Sequence, residues 1–212
     1  MKSIIKNIYY KFLKFYRSKS IKNKTVTIIS NNCWGGFMYQ SCSLKYQSPF
    51  IGLFMFAPDY IKMLENLEEN LTKRIKYINQ EDSKYKNYLK KNFIIGVFEG
   101  TDIEIIFKHY HSIEEVEKKW NRRLKRINLQ NMIVKFSDSD LCTDDLIYRF
   151  EALPFQHKVC FTAKPYPDCK CVKYMPEHKL KHRVTDEWAT SYRYYNFVKE
   201  ANKITEWKQN IK

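Results

Sequence analysis

Short apolar runs rich in β-branched and aromatic residues recur along this chain, and each ends at small or polar residues before a stretch of helical periodicity begins. The clearest is Val26-Thr27-Ile28-Ile29, which leads into Ser30-Asn31-Asn32-Cys33-Trp34-Gly35-Gly36. Such a run reads as a buried strand that stops in a tight turn. The same reasoning predicts strands over Val26–Ser30, Phe50–Met55, Phe93–Val97, Ile103–Phe107, Met132–Phe136 and Lys158–Thr162. It predicts helices over Pro58–Asn79, His111–Ile127, Thr143–Glu151 and Asp186–Thr205. Strands separated by helices favour a mainly parallel sheet, so the expected class is α/β. Gly100-Thr101, between Val97 and Ile103, instead predicts an antiparallel pair. The expected architecture is a single three-layer domain with a mixed, mainly parallel sheet.

One helix carries its own start signal. Ser112-x-x-Glu115 is a capping-box pattern, acids cluster at Glu114, Glu115 and Glu117, and bases follow at Arg122, Arg123, Lys125 and Arg126. Ile113, Val116, Trp120, Leu124 and Ile127 form its apolar face.

Residues 1–24 differ from the rest: they carry many lysines and Arg17, and no acid. Ile4, Ile5, Ile8, Tyr9, Phe12, Leu13 and Tyr16 recur at helical spacing, which describes a basic amphipathic helix able to lie on an anionic membrane surface. The competing reading is a helix packed on the domain's own core. Ser18–Lys24 reads as a linker, and residues 25–212 as the α/β domain. No apolar run approaches the length that spans a bilayer. No secretory h-region precedes the six cysteines, so they are expected as reduced thiols in a cytoplasmic protein, peripheral on the inner membrane face. The formal net charge of +15 points to an anionic partner. Nucleic acid is not the expected one, because no recognisable binding module interleaves these cations with aromatics.

In an open α/β sheet, ligands bind beyond the carboxyl ends of the strands. Cys33 sits at such an end and is the leading nucleophile candidate, with helix N-terminal amides expected to lower its pKa. Asn31, Asn32, Trp34 and Gly35 beside it are candidate substrate-binding residues. A cysteine nucleophile needs a base, and His109 and His111, which follow a predicted strand, can lie on the same sheet edge, with His109 the candidate. Asp102 and Glu104 share one face of that strand, so they could orient the histidine, with Asp102 the candidate, or work as acid and base. The alternative for both is a surface carboxylate on a hairpin. Asp138, in Ser137-Asp138-Ser139-Asp140, could bind a sugar hydroxyl or a metal, although no spaced second acidic motif accompanies it, or the segment could simply cap a helix. Lys164, after the last strand, could neutralise a phosphate. Cys160, Cys169, Cys171, His178 and His182 do not match zinc-ligand spacing, and no metal is expected. Walker, G-x-G-x-x-G, H-E-x-x-H and G-x-S-x-G motifs are missing, and the cofactor is left open.

Several separated segments together resemble one bacterial family. They are Ile28 to Gly36, Ser48-Pro49-Phe50-Ile51-Gly52-Leu53-Phe54, Asp102-Ile103-Glu104-Ile105 with His109-Tyr110, Trp120-Asn121-Arg122-Arg123, Phe136-Ser137-Asp138, and Val159 to Lys164. The family is the domain-of-unknown-function group nineteen-nineteen, usually labelled "exopolysaccharide biosynthesis protein". The resemblance covers Thr25 to Tyr174. It implies an α/β fold and a place in capsule or surface-polysaccharide assembly, and it brings no established reaction. The expected function is a group (acyl-type) or glycosyl transferase with Cys33 as nucleophile, acting on a nucleotide- or lipid-linked sugar or an acyl donor. The alternative is a non-catalytic glycan-binding or scaffolding component of the same machinery.

Overall fold

A computed structural model describes the backbone of residues 2–209 and the side chains of residues 11–204. The chain opens with α1 (Lys2–Ser20), then β1 (Thr27–Ser30), α2 (Trp34–Ser41), α3 (Ala57–Glu65) and α4 (Leu67–Thr72). Next come β2 (Ile75–Ile78), β3 (Ile94–Phe98), β4 (Glu104–Phe107), α5 (Ile113–Leu124), β5 (Met132–Ser137) and α6 (Asp144–Ala152). Then β6 (Lys158–Thr162), β7 (Val172–Tyr174), short 3₁₀ segments and α7 (Phe197–Gln209) complete the fold.

β1, β5, β6 and β7 form a parallel sheet in the order β1-β5-β6-β7. Thr27 stands opposite Met132, and Ser30 opposite Lys135. Alternation along the strands sends neighbours to opposite faces. Ile29, Val134 and Cys160 pack under α3, α5 and α6, against residues such as Tyr60, Trp120 and Phe150. Ile28, Ile133, Val159 and Phe161 pack on the other face, under α2 and α7, against Trp34, Tyr39, Phe197 and Ala201. Helices on both faces give three layers, the arrangement the sequence pattern favours. Gly35 is part of this packing: a Cβ there would stand 3.1 Å from Ile28 Cγ2, so α2 approaches β1 closely.

The antiparallel pair predicted around Gly100 is present as β3 and β4, and β2 joins it to make a separate three-stranded sheet, β2-β3-β4. β2 lies inside the stretch predicted as one helix, Pro58–Asn79. That helix ends after α4, and β2 pairs with β3 through the register Ile75–Phe98. A cross-strand partner absent from the local pattern overrides helical periodicity here. The predicted strand over Phe50–Met55 is reduced to a single bridge, Phe54 with Ile106. Gly52, at φ +77°, breaks the extended run, and its carbonyl accepts the His109 amide at 2.9 Å. β7 was not foreseen; it is three residues long and half-buried.

Ser112 caps α5 as expected, its Oγ accepting the Glu115 amide at 3.2 Å, while Glu115 Oε2 reaches back to accept the His111 amide at 2.8 Å. The predicted helix over Asp186–Thr205 is broken: Glu187–Ala189 and Ser191–Arg193 are single turns, and α7 starts at Phe197. The expected linker is anchored rather than free. Ile21 is buried, and Asn23 Nδ2 donates to Asn131 Oδ1 at 2.7 Å and to the Ala201 carbonyl at 2.9 Å. In α1, Phe12, Phe15 and Tyr16 are exposed. The stripe residues Ile4, Ile5, Ile8 and Tyr9 lie outside the described side chains. No helix among the described residues is long and apolar enough to cross a membrane.

Candidate functional site

The turn after β1 and the loop after β4 meet at the carboxyl edge of the parallel sheet. Cys33 Sγ lies 3.4 Å from His109 Nε2. These residues are 76 positions apart in sequence. They meet because the β1 turn projects the thiol and the Gly52 carbonyl holds the His109 backbone beside it. A Cβ on Gly52 would meet Tyr110 Cε2 at 3.2 Å and His109 Cβ at 3.4 Å, so this approach depends on glycine.

Cys33 occupies the N-cap of α2, yet burial, the largest influence, raises its thiol pKa, and the Glu187 carboxylate adds to the rise. Lys108 and Lys135 oppose this without reversing it. The expected lowering by helix amides does not occur. Asn32 Oδ1 already accepts the first helical amide, Trp34 N, at 3.1 Å. Burial and then the Lys108 charge also lower the His109 pKa. Both shifts disfavour a thiolate–imidazolium pair. The resting couple is therefore a neutral thiol beside a neutral imidazole, the arrangement in which a histidine works as a general base during attack.

Cys33 and His109 line a cleft of about 530 Å³ together with Asn32, Ser139, Asp140 and Glu187. Its floor is polar. Glu187 forms an ion pair with Lys135 in which both side chains are almost wholly buried, at 5% and 0% exposure. Glu187 Oε1 also accepts from Asn32 Nδ2 at 2.8 Å and from Ser137 Oγ at 3.3 Å. Lys135 Nζ donates further to Asn31 Oδ1 at 3.2 Å, Asn32 Oδ1 at 3.0 Å and Ser137 Oγ at 3.0 Å. Burial alone would raise the Glu187 pKa, but the charge and hydrogen bond of Lys135 outweigh it and hold the carboxyl below its usual range. One wall is aromatic: Phe37 and Trp188 stack at 4.3 Å between centroids with 18° between planes. Asp140 and Leu141 adopt consecutive left-handed conformations, φ 54° and 67°, and burial raises the Asp140 pKa. Two adjacent non-glycine residues in that region store strain, and such strain concentrates at functional edges.

The other candidates are distributed as follows. Asn32 reaches the cleft, but both ends of its carboxamide are engaged in the floor network. Asn31 is buried beneath it and supports Lys135. Trp34 touches the cleft while its ring is in the core and its Nε1 donates to Ser191 Oγ at 2.9 Å. Gly35 serves packing against β1. Asp102 is not with His109: it precedes β4 while His109 follows it, and it pairs with Lys62 at 2.6 Å and Lys84 at 3.3 Å. It therefore cannot orient the imidazole. Glu104 is buried rather than on the surface, accepting from Ser83 Oγ at 2.5 Å and the Lys84 amide at 2.9 Å. Asp138 clamps two backbone segments, accepting the Ala163 amide at 2.5 Å and the Val184 amide at 2.7 Å. Lys164 pairs with Asp144 at 2.5 Å in a separate depression. Among the described residues no His, Cys, Asp and Glu cluster could hold a metal ion.

Sequence reasoning missed Lys135 and Glu187. Lys135 carried a readable signal, a lone charge inside Met132-Ile133-Val134-Lys135-Phe136. A charge in a strand covered on both faces needs a buried partner. Glu187 carried none, because its single turn lies inside a stretch that reads as one continuous helix.

Comparison with known proteins gives a family without a mechanism. The profile described as "Domain of unknown function (DUF1919)" matches residues 4–208. A Haemophilus influenzae protein described as "Uncharacterized protein" is 32% identical over 175 residues, covering 82% of this chain and 80% of that one.

Proposed function

The chain belongs to the DUF1919 family, and on the geometry of its cleft we propose that it is a thiol-dependent transferase that moves an acyl-type group to or from a sugar hydroxyl. The carrying observation is the 3.4 Å approach of Cys33 Sγ to His109 Nε2 at the mouth of a polar-floored cleft. Cys33 attacks the acyl carbonyl carbon as its proton passes to His109 Nε2. The bond to the leaving group then breaks, and the imidazolium returns the proton to it, leaving a thioester. An acceptor hydroxyl attacks that thioester, His109 takes its proton, and the released thiolate recovers it. Lys135 and Glu187 are positioning residues, since they hold Asn32 and with it the turn that presents Cys33.

The stacked Phe37–Trp188 wall supports a sugar in the cleft, because an aromatic face beside convergent polar groups suits a ring with one apolar side. Surface-polysaccharide assembly, the pathway implied by the motif resemblance, fits such an acceptor. The exposed Phe12, Phe15 and Tyr16, beside Lys11, Lys14 and Lys19, support docking of α1 on an anionic membrane. Co-sedimentation with anionic liposomes tests this: removal of residues 1–20 abolishes pelleting, and unchanged pelleting refutes it.

The enzymatic reading is tested by intact-protein mass spectrometry after incubation with p-nitrophenyl acetate, followed by addition of a monosaccharide acceptor. We expect one acetyl group on Cys33, none in Cys33→Ala, and its discharge when the acceptor is added. A chain that binds sugar yet never acylates is the non-catalytic glycan-binding protein instead, a role the aromatic wall also suits.

A further inference from the structure

The Cys33–His109 pair separates two clefts. The second, of about 370 Å³, shares Cys33, Phe37 and His109 with the first and extends toward Gln40, Lys119 and Arg123. Arg123 is only 6% exposed. Its Nη1 donates to Tyr110 Oη at 2.8 Å and to the Ile51 carbonyl at 3.4 Å, and its guanidinium lies 5.0 Å from the centre of the Tyr46 ring. Its Nε is buried without a hydrogen-bond partner. Among the described residues no carboxylate pairs with it, whereas ten other lysine or arginine side chains there each find one.

That combination is unusual in physical terms. A buried charge is ordinarily paired, because the low-dielectric interior penalises an isolated one. Here neutral groups fix one side of a planar fork and leave its other donors unmatched. The unmatched side belongs to a residue that lines an open cleft, beside the nucleophile. Lys119, at the same cleft, adds positive charge, partly offset by its ion pair with Glu115.

We propose that this second cleft binds a phosphate group of the donor, with Arg123 as its principal ligand and Lys119 as an auxiliary one. The inference rests on the transferase reading for its word "donor", but the phosphate site itself does not need the thiol. A phosphate there completes the guanidinium's hydrogen bonding and places a phosphorylated leaving group next to Cys33. The donor class is thus a phosphate-bearing carrier rather than a free acid or a neutral ester.

Titration calorimetry of the full chain with inorganic phosphate tests the site, with acetate as the comparison anion. Saturable phosphate binding is expected, weakened at least about tenfold in Arg123→Lys, which keeps the charge but loses the planar fork. Lys119→Gln, at a half-exposed position whose loss does not threaten the core, is expected to weaken binding about threefold, as for a partly screened charge. Acetate binding as tight as phosphate overturns the phosphate assignment. So does phosphate affinity unchanged in both Arg123→Lys and Lys119→Gln, or no binding by wild type. Failure of Cys33 to acylate, with phosphate binding intact, removes the transferase reading and leaves this site standing.

Discussion

Lys135→Met is the perturbation with the largest calculable effect. Lys135 is wholly buried and gives its charge to Glu187, itself 5% exposed. Methionine nearly matches the stem in volume and leaves the packing against Phe161 in place, so the change isolates the charge. What is left behind is a buried carboxylate that keeps Asn32, Ser137 and its own backbone amide as donors but has lost its counter-charge. Removing one partner of a buried pair costs about 3–5 kcal/mol. For a chain of this size each kcal/mol lowers the melting temperature by roughly 2–4 °C, so the drop is about 6–20 °C. Glu187→Gln, which strands the ammonium instead, belongs in the same range. The double variant Lys135→Met/Glu187→Gln removes both charges and should recover at least ~2 kcal/mol relative to the sum of the singles. Urea unfolding followed by circular dichroism measures all four corners of the cycle. Single variants within ~0.5 kcal/mol of wild type, or strictly additive effects, refute the claim that this pair organises the cleft floor.

Two further outcomes follow from the same geometry. Because the folded-state pKa of Glu187 is depressed, the pair contributes stability above the unfolded glutamate value of about 4.3, and that contribution is lost as pH falls through the lower folded value; Glu187→Gln should therefore flatten the acid limb of a pH–stability curve, and an unchanged limb contradicts this. Gly52→Ala forces a β-carbon against Tyr110 and His109 at a φ of +77°, costing about 1–2 kcal/mol and displacing the imidazole, so acylation of Cys33 should slow far more than stability alone explains; equal acylation rates refute the positioning role.

What could be read in the sequence was local or periodic. The strand-to-turn signal at Val26–Gly36 located Cys33 at the sheet edge, and the capping box fixed the start of α5. The Cys33–His109 contact was anticipated only as a topological possibility, since both residues follow strands. What the sequence hid were non-local consequences. Asp102 and His109 flank the same short strand, yet an extended β4 carries them to opposite ends of it, and no pattern shows that Lys62 and Lys84 wait at one of them. β2 has helical periodicity and becomes a strand because β3 pairs with it. The thiol's raised pKa depends on burial and on Glu187, contributed from 154 positions later by a single helical turn. Arg123 reads in the sequence only as one of four bases late in the predicted helix, and its contacts with Tyr110 and Ile51 show that it is buried.

The central claim is that His109 serves as general base to a neutral Cys33 thiol. The pH dependence of single-turnover acetylation by p-nitrophenyl acetate, compared between wild type and His109→Ala, tests it most directly. Wild type should rise through an apparent pKa below the ordinary histidine value of about 6.5 and hold level to pH 8. His109→Ala should lose at least about a hundredfold at pH 7 and climb steadily with pH as thiolate forms. Coincident profiles for the two proteins would contradict the account.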